Sequence, residues 1–254
     1  MPAFLNLPIR SVVVVGDGHG IGLSVARRFH KEGYAVAVIA RTSGTVTGVV
    51  TKLKAMTRPE NVIGLVADVT DEQSLFEALD TAKLANGVPD VLIYDAGVIR
   101  TDRVGDLSAD ELLSTYAVNV VGAAVTAGHV APLMARRGRG TILITGGMAE
   151  PKADWFSLSL GKYGVRTLVE LLAEEFEPQG LHVATVAVTE VVAPGTSFDP
   201  DTIAETYMML HQQEKDWKHE VVFTPKIGPR NKAHPTSAES GCRQTFPSTP
   251  DARS

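Results

Sequence analysis

Six short apolar runs restrict what this chain can fold into more than any other feature. They are Ser11–Val15 (SVVVV), Ala35–Ala40, residues 62–67, Val91–Tyr94, residues 141–145 and residues 182–188. A strand with one wet face alternates apolar and polar side chains; runs without alternation are strands buried on both faces, as in a parallel sheet covered by helices. Residues 21–32, 74–85, 109–134 and 162–175 lie between them with apolar residues at helical spacing. Strands and helices alternating at this length predict a single α/β domain, a doubly wound parallel sheet with helices on both faces. After the sixth strand, residues 193–198 form a short link. A helix then opens at Asp199 or Asp201 and runs through TIAETYMMLHQQ, and WKHEVVF reads as a final strand.

The domain is expected to span residues 1–223. Residues 224–254 are rich in Pro, Ser and basic side chains and lack apolar periodicity, so they predict a disordered tail. The net charge of −5, with no basic stripe in the folded part, argues against a nucleic-acid partner. A lone cysteine, Cys242, excludes an internal disulfide and a clustered cysteine metal site, and it fits a reducing compartment. The first strand comes too early and too uncharged for a signal peptide, and no apolar run reads as a membrane span. The expectation is a soluble, cytoplasmic protein acting on a small-molecule substrate without bound metal.

The first strand ends in GDGHGIG, which places Gly16, Gly20, Ile21 and Gly22 at the first strand-to-helix turn. Glycines there permit a tight turn and let the backbone approach a pyrophosphate seated at the positive helix N-terminus. At the first strand-to-helix turn of such a βα pattern, these glycines point to the cofactor site expected of a Rossmann-type fold. The end of the second strand reads Ala40-Arg41-Thr42. An acid there would bond both ribose hydroxyls and repel a 2′-phosphate; a small residue followed by arginine makes room for the phosphate and offers it a bidentate partner. His19 adds a further donor. NADP(H) is therefore expected over NAD(H), the plainer alternative for Arg41 being a solvated charge.

With these residues in view, the chain resembles the short-chain dehydrogenase/reductase family over most of residues 9–223. Gly16, Gly20, Ile21 and Gly22 match the family's glycine motif, although Val15 stands where threonine is usual. Asp68 and Val69 match its adenine-binding pair. YDAG, residues 94–97, occupies the place of its Asn-Asn-Ala-Gly motif, which implies cofactor contacts from Ala96 and Gly97. Asn119 matches the helix asparagine of the proton relay, and Lys162 the catalytic lysine that also holds the nicotinamide ribose. The resemblance implies a dimer or tetramer built on the two long helices and the last strand.

The same comparison exposes what is missing. The family's general acid is a tyrosine four residues before the lysine, and here that position is Leu158. Its serine falls on Gly146 or Gly147, and its Pro-Gly after the sixth strand is Thr189-Glu190. Tyr163 follows the lysine directly and so points about 100° away around the helix. Thr145, Asp154, Ser157, Ser159 and Glu190 are near enough in sequence to supply a proton, each with a structural alternative such as a helix cap or a loop charge. The short link after the sixth strand implies a reduced lid and a bulky substrate. Three functions remain open: hydride transfer to an imine or other activated C=N, C=C or C=O acceptor, which needs no strong acid; ordinary carbonyl reduction with water on Lys162 and Asn119, or Glu190, replacing the tyrosine; and a cofactor-binding pseudoenzyme or assembly subunit.

Overall fold

The structure is a computed structural model that describes residues 10–16, 20–56 and 58–225. Seven strands form one sheet: β1 (Ser11–Val15), β2 (Ala35–Ala40), β3 (Val62–Val66), β4 (Val91–Tyr94), β5 (Gly140–Gly147), β6 (Leu181–Val188) and β7 (Glu220–Val222). Their spatial order is β3-β2-β1-β4-β5-β6-β7, and every pairing is parallel. The doubly wound α/β architecture expected from the apolar runs is the one present. Burial follows the argument that predicted it. Every residue of β1, β2 and β4 is buried, whereas β3, at the sheet edge, is half-buried along most of its length.

One face of the sheet carries α1 (Ile21–Lys31), α2 (Ser43–Lys54) and α7 (Pro200–His211). Val25, Phe29, Leu53, Ile203 and Tyr207 pack there against Val12, Val36 and Ile93. The other face carries α3 (Glu72–Asn86), α5 (Gly122–Arg137) and α6 (Phe156–Phe176), with Leu75, Ala127, Met134 and Val169 against Leu92, Ile142 and Val183. A further helix, α4 (Ala109–Tyr116), runs into α5 through a π-helical turn, Ala117–Val121.

Three sequence expectations need correction. The single helix expected over residues 109–134 contains that π turn. The segment from residue 43 to 54 is a helix that periodicity did not reveal. Its glycines and β-branched residues are poor helix formers, but Thr42 Oγ1 accepts from Thr45 N–H, and Val46, Val49 and Leu53 are buried in the tertiary structure. Finally, a run does reach membrane-span length and apolarity, residues 109–137, with a mean hydropathy of 1.4 in its most apolar window. Half of that window is buried inside the molecule, because α5 must present an apolar face to the sheet. Phe223, where the domain is expected to end, is buried against the α7 face of the sheet; the tail beyond Pro225 lies outside the described residues, as does His19.

Candidate active site

The order in which successive strands are added to the sheet reverses between β1 and β4, the switch point at which open α/β sheets bind ligands. The two strand ends approach closely there. A Cβ on Gly16 would stand 2.9 Å from the Asp95 carbonyl carbon, and one on Gly22 would stand 2.8 Å from Asp95 Oδ2. Gly16 is therefore required by the backbone after β4, and Gly22 leaves room for the Asp95 carboxylate. Gly20 differs: it caps α1 with φ 71°, and no atom of the described residues lies within 4 Å of where its Cβ would be. A helix N-terminus entered through a positive-φ glycine is a cradle of the kind a pyrophosphate fills.

Along the same edge, Arg41 is exposed beside the N-terminus of α2, whose first turn carries no acid. Asp68 holds Thr70 through its N–H (2.9 Å) and hydroxyl (2.7 Å), and these bonds, with the nearby charge of Arg41, keep its carboxyl below the usual range. Ala96, Gly97 and Val98 follow β4. Asn119, 4% exposed in the π turn, is joined to this loop at both ends of its amide. Its Oδ1 accepts from Val98 N–H at 2.6 Å, and its Nδ2 donates to Val98 O at 3.1 Å. The Tyr94 hydroxyl donates to Val118 O at 2.6 Å inside the same turn, and Gly122 leaves it room. Asn119 thus ties down the loop after β4 through the Val98 backbone, with both ends of its amide committed there.

Lys162 lies on α6, and its Nζ donates to Thr145 O at 3.0 Å. Loss of water around the ammonium brings its pKa down to about 8; the charge of Asp95 opposes that fall and Arg166 adds to it. α6 begins at Phe156, earlier than the helix expected at residue 162, so Leu158 is inside it and one turn before Lys162 on the same face. Leu158 is 7% exposed. The two candidates for the serine position differ: a Cβ on Gly146 would meet Thr185 Oγ1 at 2.4 Å and is excluded, whereas one on Gly147 would make only a tight contact with Lys162 Cε at 3.3 Å.

The replacement acids fare unevenly. Ser157 gives its hydroxyl to Asp102, whose other oxygen takes Ser157 N–H at 2.7 Å. Buried Asp102 thereby does for α6 what a capping residue would, a role the sequence reading had offered to Ser157 itself. Ser159 is tied to the main chain of Lys152, Asp154 is ion-paired with Arg103, and Glu190 is exposed. Tyr163 points away from Lys162, its ring under the Arg166 guanidinium. Thr145 remains, and its hydroxyl is engaged by Asp95 and Tyr207. Neither Asp102 nor Tyr207 was found by sequence reasoning: Asp102 sits in an irregular loop, and Tyr207 is one of several apolar positions on the buried stripe of α7. Residues 189–199, between β6 and α7, contain turns and no helix, so the lid is short.

Residues 10–201 match the model of the short chain dehydrogenase family. The chain belongs to that family. It is 29% identical over 188 residues to a glucose 1-dehydrogenase of Gluconobacter oxydans, covering 73% of this chain and 70% of that protein. It is 31% identical over 135 residues to an NADPH-dependent pterin aldehyde reductase of Arabidopsis thaliana, covering 53% and 54%. Among solved structures, a metagenomic short-chain oxidoreductase in complex with NADP superposes with a TM-score of 0.78 at 25% identity, over 87% of this chain and all of that one.

Proposed function

We propose that the chain is an NADP(H)-dependent oxidoreductase that transfers hydride to an imine or another activated C=N, C=C or C=O acceptor. The observation that carries this reading is the retention of Lys162, anchored on Thr145 O, beside a buried Leu158 where an acid would stand. A bound nicotinamide would supply the hydride. Gly20 and the α1 N-terminus would receive its pyrophosphate, with Gly16, Ile21 and Gly22 shaping the turn. Asp68 and Val69 would border the adenine, Ala96 and Gly97 the nicotinamide side, and Lys162 would donate to the ribose hydroxyls. A protonated imine that accepts hydride at carbon becomes a neutral amine, so the reaction consumes no further proton and the leucine costs nothing. A ketone becomes an alkoxide and needs a proton, whose missing donor lowers the rate roughly 10²–10⁴-fold. Purified protein with NADPH is accordingly expected to consume cofactor at least about 10²-fold faster with an imine than with the matched ketone. Preference for the ketone in nicotinamide absorbance assays sinks the proposal.

NADPH is expected to bind more tightly than NADH. A charged pair between Arg41 and the 2′-phosphate is worth about 1.5–3 kcal/mol, ten-fold or more in affinity. Support comes from the exposure of Arg41 next to the acid-free N-terminus of α2. Arg41→Asp should reverse the order in a fluorescence titration; equal binding of both cofactors by the wild type refutes the assignment.

The short lid suits a bulky substrate, and the lone cysteine a cytoplasmic setting. Leu113 and Tyr116 on α4, with Leu160, Tyr163 and Leu171 on α6, are exposed apolar side chains on adjoining helices. We read this patch as the contact surface of a homodimer or homotetramer. Light scattering at micromolar concentration should give a multiple of the chain mass, and a monomer would dismiss it.

A further inference from the structure

The ends of β4 and β5 carry a polar array on the face of the sheet opposite α6, and Thr145 is its centre. Its hydroxyl lies 2.6 Å from Asp95 Oδ1 and 2.8 Å from the Tyr207 hydroxyl. A threonine hydroxyl has one proton and an ionised carboxylate can only accept, so Thr145 donates to Asp95 and Tyr207 donates to Thr145. Tyr207 is fully buried, and burial raises its phenol pKa well above the ordinary value, which keeps it a donor. The carbonyl of the same Thr145 accepts from Lys162, which approaches from the opposite face. One residue therefore joins α7, the end of β4 and α6 across the sheet.

We propose that Tyr207, Thr145 and Asp95 form a through-sheet clamp on Lys162, in which Asp95 supplies the negative charge that answers the lysine in a site lacking the tyrosine. Tyr207 and Thr145 hold that carboxylate, and all three are positioning residues acting through Lys162. Among the described residues two charged groups act on the ammonium, Asp95 from the end of β4 and Arg166 from α6, and they act in opposite senses. Without Asp95, burial and Arg166 would both disfavour the protonated form that donates to Thr145 O. The importance of the clamp for cofactor binding rests on the functional reading above, in which Lys162 holds the ribose; its geometry does not.

The test is the titration of Lys162 itself in the cofactor-free chain, followed by NMR of ¹³C-labelled lysine side chains and assigned with Lys162→Arg. Asp95→Asn should lower the midpoint by about one unit or more, the effect of removing a nearby opposite charge. Thr145→Val alone leaves the buried Tyr207 phenol without its partner and is expected to destabilise the fold. The double variant Thr145→Val/Tyr207→Phe removes both polar groups at nearly constant shape, so it should stay folded while its Lys162 midpoint also falls. An unchanged midpoint in Asp95→Asn overturns the counter-charge, and an unchanged midpoint in the folded double variant overturns the clamp. Titration with NADPH is run alongside as a separate readout. If the midpoints shift but NADPH binds to none of the proteins, the clamp stands and the functional reading fails.

Discussion

Leu158→Tyr is expected to raise the rate on a simple ketone by roughly 10²-fold or more, the usual contribution of a positioned general acid. Leu158 lies one turn before Lys162 on α6, so a phenol placed there would share the face of the helix that presents the ammonium. Lys162, with its pKa near 8, would then lower the phenol pKa by charge while itself remaining mostly protonated at neutral pH. Leu158 is packed, so the larger ring costs about 1–3 kcal/mol in strain. Leu158→Phe carries the same bulk without the hydroxyl and is the control; a comparable gain in that variant would assign the effect to shape. The serine can be restored at one place only. Gly146 is closed by Thr185 Oγ1 at 2.4 Å, whereas a Cβ on Gly147 makes tight contacts of 3.2 Å with Val188 O and 3.3 Å with Lys162 Cε. Leu158→Tyr/Gly147→Ser should therefore exceed the single variant on ketones. Paired steady-state assays decide it: reduction of the matched imine should not rise in step, since that reaction takes no proton from the site.

A second large effect is expected at Gly122, where the π turn meets α5. An alanine Cβ there would stand 2.4 Å from the Tyr94 hydroxyl and 3.1 Å from Val69 Cβ. Tyr94 cannot retreat without giving up its bond to Val118 O, and its side chain is buried on the α5 face of the sheet. Gly122→Ala should therefore cost about 2–4 kcal/mol, from overpacking together with a lost buried hydrogen bond. At about 2–4 °C per kcal/mol for a domain of this size, the melting temperature should fall by roughly 5–15 °C. Tyr94→Phe removes the oxygen that clashes, so Gly122→Ala/Tyr94→Phe should recover part of the loss in thermal melts followed by circular dichroism. A Gly122→Ala protein that melts with the wild type would show that the π turn absorbs the methyl. Cofactor affinity should fall in the single variant as well, because the same turn carries Asn119 and, through it, the loop at Val98.

Much of this molecule is local chemistry. A parallel sheet was legible because β1, β2 and β4 must be apolar on both faces, a property written residue by residue along each strand. Gly20 is legible for a similar reason: a positive φ at a helix start is a demand on one residue type. The spacing of Leu158 and Lys162 needs nothing beyond the periodicity of one helix. Other features depend on groups distant in sequence that meet after folding. α2 was missed because its helix propensity is poor and its stability comes from burial of Val46, Val49 and Leu53. Asp102 reaches the start of α6 from another loop, so no spacing within the helix could foretell that Ser157 was occupied. Asn119 could be aligned with a proton relay from sequence, but its engagement with Val98 is a contact between the loop after β4 and the π turn of a later helix. Tyr207 is the clearest case: along α7 it is one more member of an apolar stripe, and its hydroxyl acquires meaning where β5 places Thr145 beside it. A pattern along the chain records which side chains are buried; which polar atom each buried donor finds is settled by the packing of elements against one another.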